Sequence, residues 1–416
     1  YTNSKSIKKS SIFLIKKDVK NKHNYIKEAI KNGAIAILTD KYIKEIDVTQ
    51  FIVSDLDLSL SRILYELRPY KPINSIAITG TNGKTSVTWY ISQIFHFNNL
   101  HVKNYGTLGY YIDNKKKNYS NLTTPNYDIL HQTAFSNKKN NFNYIFEVSS
   151  HALDQNRINK FPINVAGITN ISQDHLDYHK DLKRYTEAKF KLFTKYLNKD
   201  GHAVINDKIK DAKKLKSFLN KNIKIITYGK KTSDVYLFIQ NNKTIIRIHD
   251  KKYILNFNKY SFVELENISC AIACCSSLGI KNKNIISHLK EIQNPPGRLQ
   301  EVKKKINKFK VFIDYAHTPD ALKSVLKSQT ILNKKPNLVF GCGGDRDKEK
   351  RSKMGFIASK YADKVYITND NPRNENSNEI RKAILSKCKK GIEVANRKKA
   401  ISMAINDLNK NDILII

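Results

Sequence analysis

The chain has 416 residues, 40% hydrophobic and 10% aromatic, which is enough for roughly two to four packed domains and too much for global disorder. Its formal net charge is +37, which taken alone points to nucleic acid or a membrane surface. The lysines are scattered along the whole chain among asparagines and isoleucines, so a compositional bias is the plainer reading and no nucleic-acid partner is expected. No apolar run approaches the roughly 18 residues of a membrane span. The five cysteines are odd in number and form no CxxC pair, which argues against a disulfide framework and a zinc site and fits a reducing cytoplasm. No signal peptide is visible. The chain opens at Tyr1 rather than Met, so a missing N-terminal stretch is expected.

In chain order, residues 1–72 alternate short apolar runs (SIFLI at 11–15, AIAIL at 34–38, FIVSD at 51–55) with helical patterns near 24–32 and 57–67. That predicts a small α/β domain, closed by the proline-containing linker RPYKP at 68–72. Residues 73–297 open with the strand SIAIT at 75–79, a glycine loop and a helix marked by Val87, Tyr90, Ile91, Ile94 and Phe95. Buried-type strands follow at YIFEV (144–148) and VAGITNI (165–171), so a mostly parallel sheet covered on both faces is expected. The piece 201–260 changes to short alternating segments, which predicts an antiparallel insertion. After NPPGR at 294–298 come VFIDY, NLVFGC, KVYIT and DILII, with helical stretches between them. These predict a third, Rossmann-like domain over 298–416. A monomer is expected.

The loop GTNGKTS at 80–86 joins a strand to a helix. Gly80 and Gly83 let the backbone turn and approach a ligand. The loop and helix-start N–H groups then face a phosphate, Lys84 adds charge, and the Thr85 hydroxyl suits Mg²⁺. The spacing departs from GxxxxGK[ST], since position 78 is Ile. Glu147, at the end of YIFEV, reads either as a metal ligand beside Thr85 or as a strand-end carboxylate facing solvent. The segment NISQDHLDYH at 170–179 gathers His and Asp at a strand end and is open between metal binding, capping and no role. A basic nucleic-acid-binding ATPase remains the rival class, although aromatics are not interleaved with the basic runs.

The motifs GTNGKT, EVSSH, DHLDYH followed by EAKF, NPPGR, DYAHTPD, GCGGDRDKEKR and DNPR stand in this order. Together they resemble the Mur ligases of peptidoglycan synthesis, in particular the branch that adds the third residue of the peptide; the likeness runs from about residue 2 to 416. The resemblance implies a UDP-substrate domain, a central ATPase and a C-terminal domain that binds the amino acid. It also implies an acyl phosphate formed with ATP and attacked by an amine. It places Thr81, Asn82, Lys84 and Ser86 on ATP, with Thr85, Glu147, His175 and Lys189 (as a carbamate) on magnesium. Asn267, Arg298, Asp314 and His317 fall on the nucleotide side. Ser4, Thr123, Thr124, Ser149, Gln155 and Arg157 fall on UDP-N-acetylmuramoyl-L-alanyl-D-glutamate. Arg346, Asp370, Asn371, Pro372 and Arg373 fall on the amine. DNPR implies meso-diaminopimelate rather than L-lysine; another amide ligase of the same type, such as a folylpolyglutamate synthase, is the rival within enzymes. Ser86 stands where the family more often has Thr. The family continues past DILII into a loop, GKGHE, that contacts diaminopimelate, so the resemblance implies that a binding loop should begin where this chain stops.

Overall fold

The computed structural model describes every residue except 17, 120, 121, 140, 258, 303–308, 331–333 and 346. Among the described residues the strands form three sheets, of three, eleven and six strands. The fold is the expected α/β type. In the first sheet Ser11–Leu14, Ala34–Thr39 and Thr49–Ile52 run parallel. Phe13, Ile26, Ala29 and Ile37 form its small core.

The centre of the large sheet is the parallel set Val165–Ile168, Ser75–Thr79, Asn143–Glu147 and Val102–Gly106, in that spatial order. Both faces of these strands are apolar because both are covered. One face carries Ile76, Ile78 and Ile145 against the helices Lys84–Phe97 and Phe262–Ser277. The other carries Ala77, Phe146 and Ala166. Cys270, Cys274 and Cys275 lie buried and free in the helix Phe262–Ser277, as core packing predicts. A capping box starts that helix: the Ser261 side chain accepts from Glu264 N, and Glu264 accepts from Ser261 N.

The antiparallel insertion expected at 201–260 is corrected in part. His202–Asn206 and Lys224–Tyr228 extend the same sheet in parallel. Antiparallel pairing begins only between Val235–Gln240 and Lys243–Ile248 and continues to Lys251–Leu255. Alternation in sequence reports one solvated face, and an edge hairpin of a parallel sheet has one just as an insertion does. Asn241 and Asn242, at φ 50° and 57°, make its two-residue turn.

The third sheet places Lys310–Ile313, Ile413–Ile415, Asn337–Phe340, Val365–Ile367 and Gly391–Glu393 side by side and parallel. Several strands stop short of their apolar runs. Asp314 follows the last strand residue Ile313, and Gly341 the last strand residue Phe340. The residues so released at the carboxyl ends of the strands are the ones that build the site.

Candidate active site

Loop 80–86 follows a buried strand and starts a 14-residue helix. Gly80 has φ +143° and Gly83 φ +85°, conformations that disfavour a side chain. A Cβ on Gly80 would lie 1.8 Å from Thr169 Oγ1, and one on Gly83 2.4 Å from Asn267 Oδ1. Asn170 pins the loop: its carbonyl accepts from Thr81 N at 2.9 Å and its Oδ1 from Asn82 N at 3.0 Å. The segment 170–179 thus begins with a structural role that its His and Asp content did not announce. Lys84 Nζ folds back to donate to the carbonyls of Gly80 (2.7 Å) and Thr81 (2.9 Å). Desolvation lowers its pKa, against the pull of Glu147.

Glu147 faces inward, 1% exposed, so the solvent-facing alternative is overturned. Thr85 Oγ1 lies 3.0 Å from both of its carboxylate oxygens. Thr107 N donates to Oε1 at 2.8 Å and Thr107 Oγ1 to Oε2 at 3.1 Å. No group of three His, Cys, Asp or Glu that could hold a metal occurs among the described residues. The donor set is instead one carboxylate with a hydroxyl on a nucleotide loop, an all-oxygen pair that fits the hard, water-retaining Mg²⁺ ion.

Beside this pair lies a compact set of ionisable groups. Asp174 is buried, which raises its pKa, but His175, His317, Lys350 and Lys84 together hold it below the ordinary carboxylate value. His175 packs edge-on against His151 at 4.8 Å. Burial carries its pKa down to about 4 despite Asp174, leaving a neutral ring at pH 7. Lys189 is 1% exposed. Its Nζ donates to Gly80 O at 2.9 Å, lies over the Tyr185 ring at 4.4 Å, and has no ion-pair partner among the described residues. Burial, with Lys84 next, lowers its pKa well below the usual lysine value. A buried amine beside a second lysine is an unfavourable place for an ammonium and a favourable one for an anionic derivative.

The third sheet closes the other wall of a cavity of about 920 Å³. Arg298 Nη2 donates to Thr85 Oγ1 at 3.3 Å, and its guanidinium stacks on Tyr315 at 4.2 Å. Asp314 accepts from Leu299 N and Ala316 N, both at 2.8 Å. His317 Nε2 reaches Asp174 at 3.8 Å. Asn82 donates to Thr318, Gln173 to Asp347, and Lys353 to Gln173, so polar contacts span the two walls. Lys350, buried and lining the cavity, escaped the sequence reading. It stands inside GCGGDRDKEKR, where only Arg346 was singled out, and Arg346 lies outside the described residues.

Asp370, Asn371 and Arg373 line the cavity, and Pro372 lies between them in the same loop. This loop is zipped to residues 343–345: Gly344 N donates to Asn371 O at 2.9 Å, and Arg373 Nη1 donates to Gly344 O. Glu375 locks the pair. It accepts two bonds from Arg351, at 2.9 and 2.8 Å, and one from Asp345 N. Those Arg351 bonds hold its carboxyl at about 2, below the ordinary 4.5. A depressed folded-state value means stabilisation that is complete above about pH 4.5 and lost as pH falls toward 2. Thermal melting of the parent is therefore expected to fall over that window, and more steeply than that of Glu375→Gln. Glu375→Ala leaves the 4%-exposed Arg351 uncompensated and is expected to cost about 3–5 kcal/mol in denaturant unfolding.

Thr124, Ser149, Gln155 and Arg157 form one network beside Glu147, and Thr123 is bonded at 3.1 Å to Thr107, which holds the Glu147 carboxylate. Thr124 Oγ1 donates to Glu147 O and accepts from Ser149 N, both at 2.9 Å. Arg157 donates to Thr124 O at 3.1 Å and to Gln155 Oε1. Ser4 is not brought to them: it is buried, its hydroxyl bonded to Glu28 at 2.5 Å, and it does not line the cavity.

Residues 78–275 match the family model of the Mur ligase middle domain, and residues 297–416 that of the Mur ligase glutamate ligase domain. Over 430 residues the chain is 37% identical to the UDP-N-acetylmuramoyl-L-alanyl-D-glutamate--2,6-diaminopimelate ligase of Rickettsia montanensis, with 100% of this chain and 89% of that one covered. The protein of the same name from Buchnera aphidicola is 34% identical over 441 residues, covering 99% and 88%. A solved structure of such a ligase superposes with a TM-score of 0.68 at 27% identity, covering 100% of this chain and 88% of that one. The MurF ligase of Thermotoga maritima in complex with ADP shares the fold, at TM-score 0.71 and 20% identity over 100% and 92%. With both domain models matched in sequence and relatives above 30% identity along its whole length, the chain belongs to the Mur ligase family.

Proposed function

We propose that the chain joins meso-diaminopimelate to UDP-N-acetylmuramoyl-L-alanyl-D-glutamate, an ATP-dependent amide ligation in peptidoglycan precursor synthesis. Curated relatives are named UDP-N-acetylmuramoyl-L-alanyl-D-glutamate--2,6-diaminopimelate ligase. The observation that carries the reading is that one cavity is lined both by the phosphate loop with Glu147 and by Asp370, Asn371 and Arg373. We also propose three functional units, with boundaries near 72 and 297: UDP substrate, ATP and amino acid. A monomeric, cytoplasmic enzyme is part of this proposal.

Loop 80–86 cradles the triphosphate, with Lys84 swinging from its own carbonyls to the transferring phosphoryl group. Asn267, Arg298, Asp314 and His317 surround the rest of the nucleotide. Thr85 and Glu147 would hold Mg²⁺, with His175 and carbamylated Lys189 beside a second ion; bound there, the metal would neutralise charge on the phosphoryl group. Thr123, Thr124, Ser149, Gln155 and Arg157 orient the muramoyl dipeptide so that its carboxylate attacks the γ-phosphorus and ADP leaves. Ser4, with its hydroxyl bonded to Glu28, contributes to the uridine end through its segment rather than its side chain. Lys350 and Arg298 provide positive charge for the acyl phosphate. The amine attacks its carbonyl carbon, the amide forms, and phosphate departs with the proton lost to solvent. Asp370 and Asn371 accept from the distal ammonium of diaminopimelate; Arg373 and Arg346 favour its carboxylate.

Phosphate release with UDP-N-acetylmuramoyl-L-alanyl-D-glutamate tests this. The expected kcat/KM is at least about 100-fold higher with meso-diaminopimelate than with L-lysine, because charged groups built for a distal carboxylate are left unpaired by lysine. Turnover with lysine alone would sink the substrate assignment. ATPase activity stimulated by RNA and indifferent to the muramoyl substrate would sink the reaction.

A further inference from the structure

The amino-acid end of the cavity holds a cation that neither the motifs nor the Glu375 lock uses. We infer that Arg397 binds the distal carboxylate of the diamino-dicarboxylic acid, an assignment that rests on the substrate reading above. Arg397 opens the helix Arg397–Asn406, is exposed, and lines the same cavity as Asp370 and Arg373.

The order of strands says which end of the substrate it meets. Loops at the carboxyl edge of the sheet carry, in sequence of strands, Asp314 and His317, then Lys350, then 370–373, then Arg397. The nucleotide groups lie at the first of these positions, so Arg397 is the farthest from the phosphoryl group. Two strand spacings separate Asn337–Phe340 from Gly391–Glu393, about 10 Å, the scale of an extended seven-carbon diacid. The connection before Arg397 is fixed against the diaminopimelate loop: Ala395 O accepts from Asn369 N at 3.1 Å and from Thr368 Oγ1 at 3.2 Å. Asn396 is spent on the helix, its side chain accepting from Lys399 N at 3.0 Å.

Arg373 serves the carboxylate with only part of its donors. Part of its guanidinium is committed to Gly344 O. Arg397 has no hydrogen-bond or ion-pair partner among the described residues, so its whole fork of donors is free for a planar anion. An unpaired guanidinium lining the same cavity as Asp370 gives the two charges that a distal zwitterion requires.

Steady-state phosphate release by Arg397→Gln is the test, run with meso-diaminopimelate as substrate and L-lysine as competitor. The KM for meso-diaminopimelate is expected to rise about 10- to 100-fold. The KM values of ATP and the muramoyl substrate stay level, as does the Ki of L-lysine, which lacks that carboxylate. Arg397→Lys recovers part of the loss. An unchanged KM for meso-diaminopimelate overturns the assignment, and so does an equal weakening of diaminopimelate and lysine, which marks a structural role. If the parent enzyme does not turn over meso-diaminopimelate at all, the substrate reading itself falls, and this assignment with it.

Discussion

Lys189→Ala is expected to lower kcat about 10²- to 10³-fold, and formate or acetate to restore part of the loss. The reason lies in the company the side chain keeps. Its Nζ is 1% exposed at residue level, bonded to Gly80 O, and near Lys84. Two ammonium groups desolvated together repel each other. Burial, with Lys84 next, lowers the pKa of Lys189 and so favours its neutral amine, the form that attacks CO₂. We propose that a nitrogen–carbon bond to CO₂ forms and one proton leaves, giving an anion that would replace the repulsion from Lys84 by an attraction and offer oxygen ligands to a metal held by Glu147 and Thr85. Alanine removes the tether but leaves the space, which a small carboxylate can fill. The measurement is phosphate release with and without short carboxylates, with circular dichroism confirming the fold. Full activity in Lys189→Ala refutes the role.

Lys84→Ala is expected to lose a comparable factor, about 10²- to 10³-fold in kcat/KM for ATP. Here no small molecule rescues, because the lost group is a cation placed on the γ-phosphoryl. Lys84 Nζ donates to two carbonyls of its own loop, those of Gly80 and Thr81. On the proposed role, these bonds would be exchanged for phosphate oxygens of the nucleotide. Binding of UDP-N-acetylmuramoyl-L-alanyl-D-glutamate, measured by calorimetry, should stay level in this variant, since its groups cluster around Thr124 and Arg157. A variant that retains kcat/KM would place the phosphates elsewhere.

The strands around Ser75–Thr79 were legible because continuous apolar runs bounded by glycine or proline have few other uses. The glycine loop was legible because Gly80 and Gly83 sit where only glycine relaxes the backbone. Glu147 was legible as a strand end, but its direction was not: a carboxylate there reads alike whether it faces water or Thr85. Lys350 and Arg397 left no sign, since in a chain with 74 Lys and Arg one more basic residue is not a signal. Glu375 was invisible for a related reason, as its partner Arg351 lies 24 residues away.

The sequence by itself determined the α/β class, the phosphate loop and, through seven ordered motifs, the family. These are local properties: hydrophobic periodicity, glycine conformation and short spacings act within a few residues of chain. Only the tertiary structure decided that Asn170 pins the loop, that Lys189 is a buried amine rather than a solvated lysine, and that 370–373 is locked by Arg351 and Glu375. Each of these depends on which strand ends meet at one sheet edge. Burial and charge pairing are set by groups distant in sequence, and no local pattern encodes them.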